Sequence, residues 1–367
     1  MKLIVMLRVK RELKHLEADT TPRSICSRIY RWMGEFWSKM ASRLYSRSVS
    51  WDYEVRGLLN YSLSCCINAL LQSFSATNEL LDILNKWHPS DGTDERNVPL
   101  QLRNTLEAMR DKSHPAPHKD FLNCLYRQAI RPSTQQDADE IFHIILNLSQ
   151  KQMPDAVAQE IRSLYEIKVE TQVVCSKCKF IHRAPSSLFS LPLAICEREN
   201  TLESCINSFF KQQKLPDSEK FYCDRCDEKQ PSTHEVNLVS LPPILCVHLK
   251  RFRNNDGFTR KLSNKVTFLE TFGSDIFTAG KSENADCLKA DEYYSLYAVI
   301  VHIGTAMFGH YTAFIRPNQD QMWYYADDSC VRPSTWADVQ DTYGGSRQYG
   351  DTAYLLLYRK KSRNLSG

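Results

Sequence analysis

Two Cys-x-x-Cys pairs constrain this chain more than any other feature. Cys175 and Cys178 stand in "VVCSKCKF", and Cys223 and Cys226 in "FYCDRCDE". A two-residue spacer lets both thiolates of a pair face one ion. Two such pairs complete a tetrahedral four-sulfur zinc site with no open position, which is structural rather than catalytic. The pairs are 44 residues apart, so the fold must bring two distant segments together. Zinc is expected to act as a clip between them, not as the centre of a compact finger. Lys177, Lys179 and Arg225 flank the sulfurs and offset their surplus negative charge.

Thirteen cysteines in 367 residues do not read as a secreted disulfide scaffold. The number is odd, and the chain is long enough to bury a sizeable core without staples. Near the start the longest apolar run is Leu3 to Leu7, too short to span a bilayer and without a small-residue cleavage site. Neither a secretory signal nor a transmembrane helix is expected. A reducing compartment is, the cytoplasm or also the nucleus.

The charge is unevenly spread. Residues 1–50 carry eleven Lys/Arg against four acids, or +7; the whole chain is +4, which leaves −3 for the remainder. A basic arm therefore precedes a nearly neutral body, and the body has no electrostatic footprint for nucleic acid.

Within the arm, Ile29, Trp32, Met33, Phe36, Trp37, Met40 and Leu44 recur at three- and four-residue intervals, predicting an amphipathic helix. Residues 66–86 and 136–150 read as helices. "YEIKVETQVVC" (165–175) alternates as a strand does, and from Pro242 onward the chain is β-rich and punctuated by turns. Helices first and strands later predict an α+β fold.

Candidate nucleophiles stand in "GLLNYSLSCCINALLQ", where Cys65 and Cys66 are adjacent ahead of an apolar run. Either is a nucleophile or a small core hydrophobe. A cysteine nucleophile needs a base to accept its proton and a third group to hold the imidazole tautomer. His302 and His310 in "AVIVHIGTAMFGHYTAFIRP" are candidates for the first role, and Asp327 in "MWYYADDSCV" for the second.

Together with "QQDADEIF" and "LPPILCVHLKRF", these stretches resemble, in order over about 51–360, the ubiquitin-specific protease family of cysteine isopeptidases. The Cys-x-x-Cys pairs fall where that family carries its fingers zinc. The resemblance implies a papain-like core with a thumb (about 51–164), zinc-bearing fingers (about 165–250) and a palm (about 251–360), behind a basic extension at 1–50. It makes Cys65 the nucleophile and Cys66 a packing residue. Asn60 becomes the side-chain donor of an oxyanion hole, His310 the general base, Asp327 its orienting carboxylate and Asp328 a polar support. His302 becomes a structural strand residue. Gln135 and Asp137 would hold the tail of a modifier, and Gly309 and Tyr311 would line the narrow passage for its Gly-Gly end.

The resemblance is greatest to the interferon-induced branch of the family. That implies removal of the two-domain ubiquitin-like modifier from lysines, with a broader deubiquitinase as the alternative. A second alternative is a scaffold that represses type I interferon signalling through receptor components, the basic arm being its contact surface.

The chain departs from the family at Ser62-Leu63-Ser64, where Gly-x-Thr is usual, and at Ala326, where an aromatic is more frequent. Losing the glycine is expected to strain the loop that shapes the oxyanion hole.

Overall fold

The computed structural model describes residues 55–362, apart from 62, 90–94, 111–117, 129, 133, 197–199, 256, 274, 279–291, 318–321 and 346–349. The arm with its expected helix, and Ser62, lie outside the described residues.

From Cys65 to Tyr165 the described residues form α1 (Cys65–Ser75), α2 (Asn78–Asn85), α3 (Val98–Arg110), α4 (Lys119–Gln128), α5 (Ala138–Lys151) and α6 (Asp155–Tyr165). The single helix expected over 66–86 is two. At the break the Thr77 hydroxyl donates to the Ser73 carbonyl (2.8 Å), and the Thr77 N–H donates to the Phe74 carbonyl (2.9 Å). A threonine that bonds back to the preceding turn competes with helix propagation. The helix expected over 136–150 is α5, which Asp137 caps by accepting the N–H groups of Asp139 (2.8 Å) and Glu140 (3.3 Å).

Strands dominate after Tyr165. The first are β1 (Ile167–Cys175), β2 (Ile181–Leu188), β3 (Leu191–Ala194) and β4 (Ser232–Ser240). β1 pairs antiparallel with β2 on one side and β4 on the other, forming a sheet that is half-exposed along much of its length. The large sheet holds β5 (Ile244–Lys250), β6 (Glu292–Gly304), β7 (Gly309–Ile315), β8 (Trp323–Asp327), β9 (Cys330–Ser334) and β10 (Thr352–Ser362). Its order is β9-β8-β7-β6-β10-β5-β3. β3 and β5 lie inside the stretch expected to form the fingers, yet both belong to this sheet, because β5 pairs with β10 and β3 with β5.

β6 is buried without a break from Tyr294 to His302, since the sheet is covered on both faces. Tyr297 and Ile300 pack with residues of α1 to α6. Tyr294, Val299 and Val301 pack on the opposite side with Leu202, Ile206 and Phe268. A strand buried on both faces reads as a continuous apolar run instead of an alternating one. The result is the α+β arrangement expected from the sequence.

One charged side chain lies wholly inside. Arg251, directly after β5, is 0% exposed. Its guanidinium donates to the carbonyls of Ala353 (2.7 Å), Leu262 (2.9 Å), Asn264 (2.9 Å) and Tyr343 (3.3 Å). Burial lowers its pKa to about 10, still charged at neutral pH. These acceptors belong to three separate segments, so Arg251 ties them together. Arg251→Leu would strand four carbonyls and should cost about 2–4 kcal/mol of stability, read from urea unfolding midpoints.

Candidate active site

The site forms where the first turn of α1 meets the ends of β7 and β8. Cys65 opens α1 and is 6% exposed, with the helix N-terminus favouring negative charge at that position. Cys66 is 2% exposed, and burial pushes its thiol well up, reinforced by the charges of Cys65 and Asp137. A thiol held neutral in this way packs as a small hydrophobe.

β7 carries His310 next to its first residue, and β8 ends on Asp327. The two strands pair, with Ala313 opposite Ala326, so the tips bring imidazole and carboxylate together. His310 Nε2 meets Asp327 Oδ1 at 2.7 Å, and Cys65 is near enough to the ring to raise its pKa. Burial opposes charge on His310. The bond to Asp327 and the nearness of Cys65, with the charge of Asp328, outweigh it and hold its pKa well above the usual value. A thiol beside an imidazole that a carboxylate orients is an arrangement that generates a nucleophile.

The next residue is spent differently. Asp327 pairs with Cys330, which leaves Asp328 and Ser329 as a two-residue turn. Asp328 has φ 49°, a left-handed conformation that aspartate tolerates. Its Oδ2 accepts from Asn60 Nδ2 (2.8 Å), its Oδ1 from Asn68 Nδ2 (2.8 Å), and its carbonyl from the Leu58 N–H (2.8 Å). Asp328 Oδ2 also lies 3.9 Å from His310 Nε2. Burial raises the Asp328 pKa, against the pull of His310 and the two amides.

Asn60 is thus fixed at both ends of its amide, since Oδ1 accepts the Ser64 N–H at 3.0 Å. One of the two Nδ2 hydrogens is used on Asp328. The strain expected from losing a glycine at Ser62 falls on a residue outside those described. Its neighbour Leu63 has φ 70°, a conformation that costs a branched residue of order 1–3 kcal/mol. The other departure, Ala326, is buried between Ala313 and Val331 on the flanking strands.

The four residues expected to meet a modifier tail gather at the seam between helices and sheet. Gln135 donates to the Gly309 carbonyl (2.6 Å) and accepts its N–H (3.2 Å). Asp137 caps α5 and accepts the Tyr354 hydroxyl from β10. Tyr311 is 6% exposed. At Gly309 a Cβ would lie 2.0 Å from His302 Nε2, so the strand leaves no room for a side chain there. His302 is a packed strand residue, with its ring against Phe252 (5.0 Å) and Tyr311 (4.8 Å). Burial, assisted by Lys261, lowers its pKa to about 3, so it stays neutral.

Two groups at this site were not singled out from the sequence. Asn68 lies one turn after Cys65 on the same helix, and Asn in an apolar helix interior is a legible signal of a tertiary bond. His118, far away in sequence, bonds the Leu59 carbonyl through Nε2 (2.8 Å). Nothing local to it marks that role.

The cysteine pairs meet as their spacing requires. All four sulfurs lie within 4.8 Å of one another, with Cys178 and Cys223 at 3.5 Å and Cys175 and Cys226 at 4.0 Å. Tetrahedral zinc with bonds of about 2.3 Å sets sulfurs about 3.8 Å apart, so the donor set fits that ion. Lys177 is turned to Glu228 (2.7 Å) rather than held against a single sulfur.

The ubiquitin carboxyl-terminal hydrolase family model matches residues 56–358. The chain belongs to that family. It is 31% identical to human Ubl carboxyl-terminal hydrolase 18, over 86% of this chain and 88% of the relative. To the mouse protein of that name it is 32% identical, over 87% and 90%. To bovine ubiquitin carboxyl-terminal hydrolase 22 it is 26% identical, over 84% and 67%. Membership of the ubiquitin-specific proteases makes it a cysteine-type hydrolase of ubiquitin-like conjugates.

His310 yields a pH signature with a definite sign. Its pKa is raised on folding, so the stability it contributes is fully present below about pH 6.5. That contribution is lost as pH rises through the folded value. Urea midpoints of the native protein should therefore fall toward those of His310→Gln as pH is raised above neutrality, and the gap between the two should be widest near pH 6.

Proposed function

We propose that this protein is a thiol isopeptidase that removes a ubiquitin-like modifier from lysine side chains, with Cys65 as the nucleophile. The observation that carries this reading is the His310 ring, bonded to Asp327 at 2.7 Å and set beside Cys65 where the first turn of α1 meets β7. Cys65, as thiolate, attacks the carbonyl carbon of the modifier's last glycine. The Asn60 amide faces the charge that develops on the carbonyl oxygen. His310 then gives its proton to the departing lysine nitrogen, which leaves a thioester on Cys65. Water loses a proton to His310, attacks the thioester and releases the modifier with its carboxylate. Asp327 keeps the ring oriented throughout, and Asp328 holds Asn60.

Recognition of the tail falls to Gln135, Asp137, Gly309 and Tyr311. Asp137 already accepts two backbone N–H groups and one hydroxyl, so a basic tail residue would use its remaining lone pairs. The helical stretch then serves as the thumb, the β1–β2–β4 sheet as the fingers and the large sheet as the palm. Zinc held by Cys175, Cys178, Cys223 and Cys226 would fasten the fingers and supply no step of the reaction.

For the modifier we favour the interferon-induced two-domain protein over ubiquitin. The relatives named for a ubiquitin-like substrate are 31–32% identical, and those named for ubiquitin 25–26%.

Suicide probes made from each modifier, bearing a thiol-reactive C-terminus, test this reading. Labelling of Cys65 by the two-domain modifier alone is expected. Labelling by ubiquitin as well would make the enzyme a broader deubiquitinase. Cys65→Ala should abolish labelling and Cys66→Ala should keep most of it; equal loss in both refutes the assignment. Metal analysis should find one zinc per chain, and Cys223→Ser should lose it and lower the melting temperature by several degrees.

A further inference from the structure

The loop carrying Asn60 has no regular secondary structure, yet the oxyanion role above demands a side-chain amide held to a fraction of an ångström. The bonds to Asp328 and Ser64 fix the end of that side chain. They do not set the backbone from which it grows. That backbone is gripped from α4's side of the molecule. His118 Nε2 bonds the Leu59 carbonyl at 2.8 Å, and this carbonyl belongs to the peptide unit that joins Leu59 to Asn60. Because the unit is planar, fixing its oxygen orients the Asn60 nitrogen and Cα. On the other flank of Asn60, the Tyr61 ring lies 5.3 Å from the His118 ring at 37°. One side chain thus touches both neighbours of Asn60.

We propose that His118 is a positioning residue that sets the Leu59–Tyr61 backbone and, through it, aims the Asn60 amide at the developing oxyanion. The inference rests on the isopeptidase reading.

His118 is a costly choice if packing were its only task. It is 0% exposed, and its Nδ1 finds no partner. Burying an unsatisfied ring nitrogen carries a desolvation cost, which a leucine or phenylalanine would avoid. The single bond obtained in exchange goes to the loop beside the nucleophile. A carbonyl only accepts, so Nε2 carries the hydrogen, and a neutral ring leaves Nδ1 bare. Burial lowers the His118 pKa, opposed by the bond to the Leu59 carbonyl and assisted by the charge of Arg56. The ring is thereby kept as an uncharged donor that adds no competing charge near the reaction. Its anchorage is firm: the Leu122 N–H bonds the His118 carbonyl (3.0 Å) at the start of α4. Leu59 receives a weaker second donor, Asn68 Nδ2 at 3.3 Å, so loss of His118 should loosen the peptide unit, not release it.

The test uses the full chain and a fluorogenic amide of the modifier's C-terminus. Four variants are compared with the native protein: His118→Phe, His118→Gln, Asn60→Ala and the double variant Asn60→Ala/His118→Phe. Phenylalanine fills the space and donates nothing, whereas a glutamine amide can reach the Leu59 carbonyl. His118→Phe should lower kcat ~10–100-fold, less than the ~10²–10³-fold cost of deleting an oxyanion donor outright. KM should stay within about twofold, and His118→Gln should recover most of the loss. Alkylation of Cys65 by iodoacetamide needs no oxyanion hole, so its rate should not change. The double variant should be no slower than Asn60→Ala.

The inference is overturned if His118→Phe keeps native kcat, if Phe and Gln variants fall equally, or if the two losses multiply. Should His118→Phe melt below the assay temperature, His118→Leu takes its place under the same criteria. Native kcat in Asn60→Ala would instead refute the oxyanion role of Asn60. A fall there with none in His118→Phe would refute the role of His118 alone.

Discussion

The carboxylate of Asp328 ties the chain entering α1 to the tip of the β8–β9 hairpin. One oxygen takes the Asn60 amide, the other takes the Asn68 amide, and the Asp328 carbonyl takes the Leu58 N–H. All three donors come from the segment that leads into and through the first turn of α1, while Asp328 itself sits in the turn between β8 and β9. This junction adds directed polar bonds to the apolar packing that holds the helix end bearing Cys65 against the strand ends bearing His310 and Asp327. Steric space is part of the same junction: a Cβ at Gly57 would approach the Ser329 carbonyl oxygen to 2.3 Å. The entering chain therefore passes directly against the turn, and only glycine permits that approach.

Two adjacent aspartates do different work because a hairpin places them differently. Asp327 is the last paired residue of β8, so its side chain follows the strand's alternation and meets His310. Asp328 takes a positive φ in the turn, which swings its carboxylate toward α1. The charge near the imidazole comes chiefly from Asp327 at 2.7 Å, while Asp328 stands off at 3.9 Å with its lone pairs engaged by amides. Swapping the order of these roles would require moving the turn by one residue, which would turn Asp327 to the other face of the sheet.

How much of this the sequence discloses follows from the range of each interaction. Cysteine spacing is local within each pair, so the four-sulfur cluster is legible before any fold is known, and β6 and β10 stand out because long apolar runs survive without context. Thr77 is a local signal too, yet the apolar periodicity of 66–86 runs through it and hides the break. Gly309 shows a different limit: the neighbour that leaves no room for a side chain there is His302, opposite Tyr311 on the adjacent strand. The membership of β5 in the large sheet is set by pairing with a strand more than 100 residues away, and β3 joins through β5, which no window of sequence contains. His118 is the extreme case, because its meaning lies in a carbonyl 59 residues earlier.

The seam beside the site is polar where it is shallow and apolar where it is deep. Gln135 meets Gly309 through a reciprocal pair of hydrogen bonds that copies the pairing of one strand residue with another. Below it Tyr354 reaches Asp137, and Asp139 lies 3.0 Å from His248. Deeper still, Phe142, Tyr165 and Tyr297 belong to one continuous core with Phe74 and Ile300. Apolar contact at the base resists separation of the two halves, because opening it would expose large aromatic surfaces to water. The bonds at the rim exchange readily with water or with an incoming peptide backbone, since their net worth is about 1 kcal/mol each. The seam can thus loosen at its rim while the core beneath keeps the helices against the sheet.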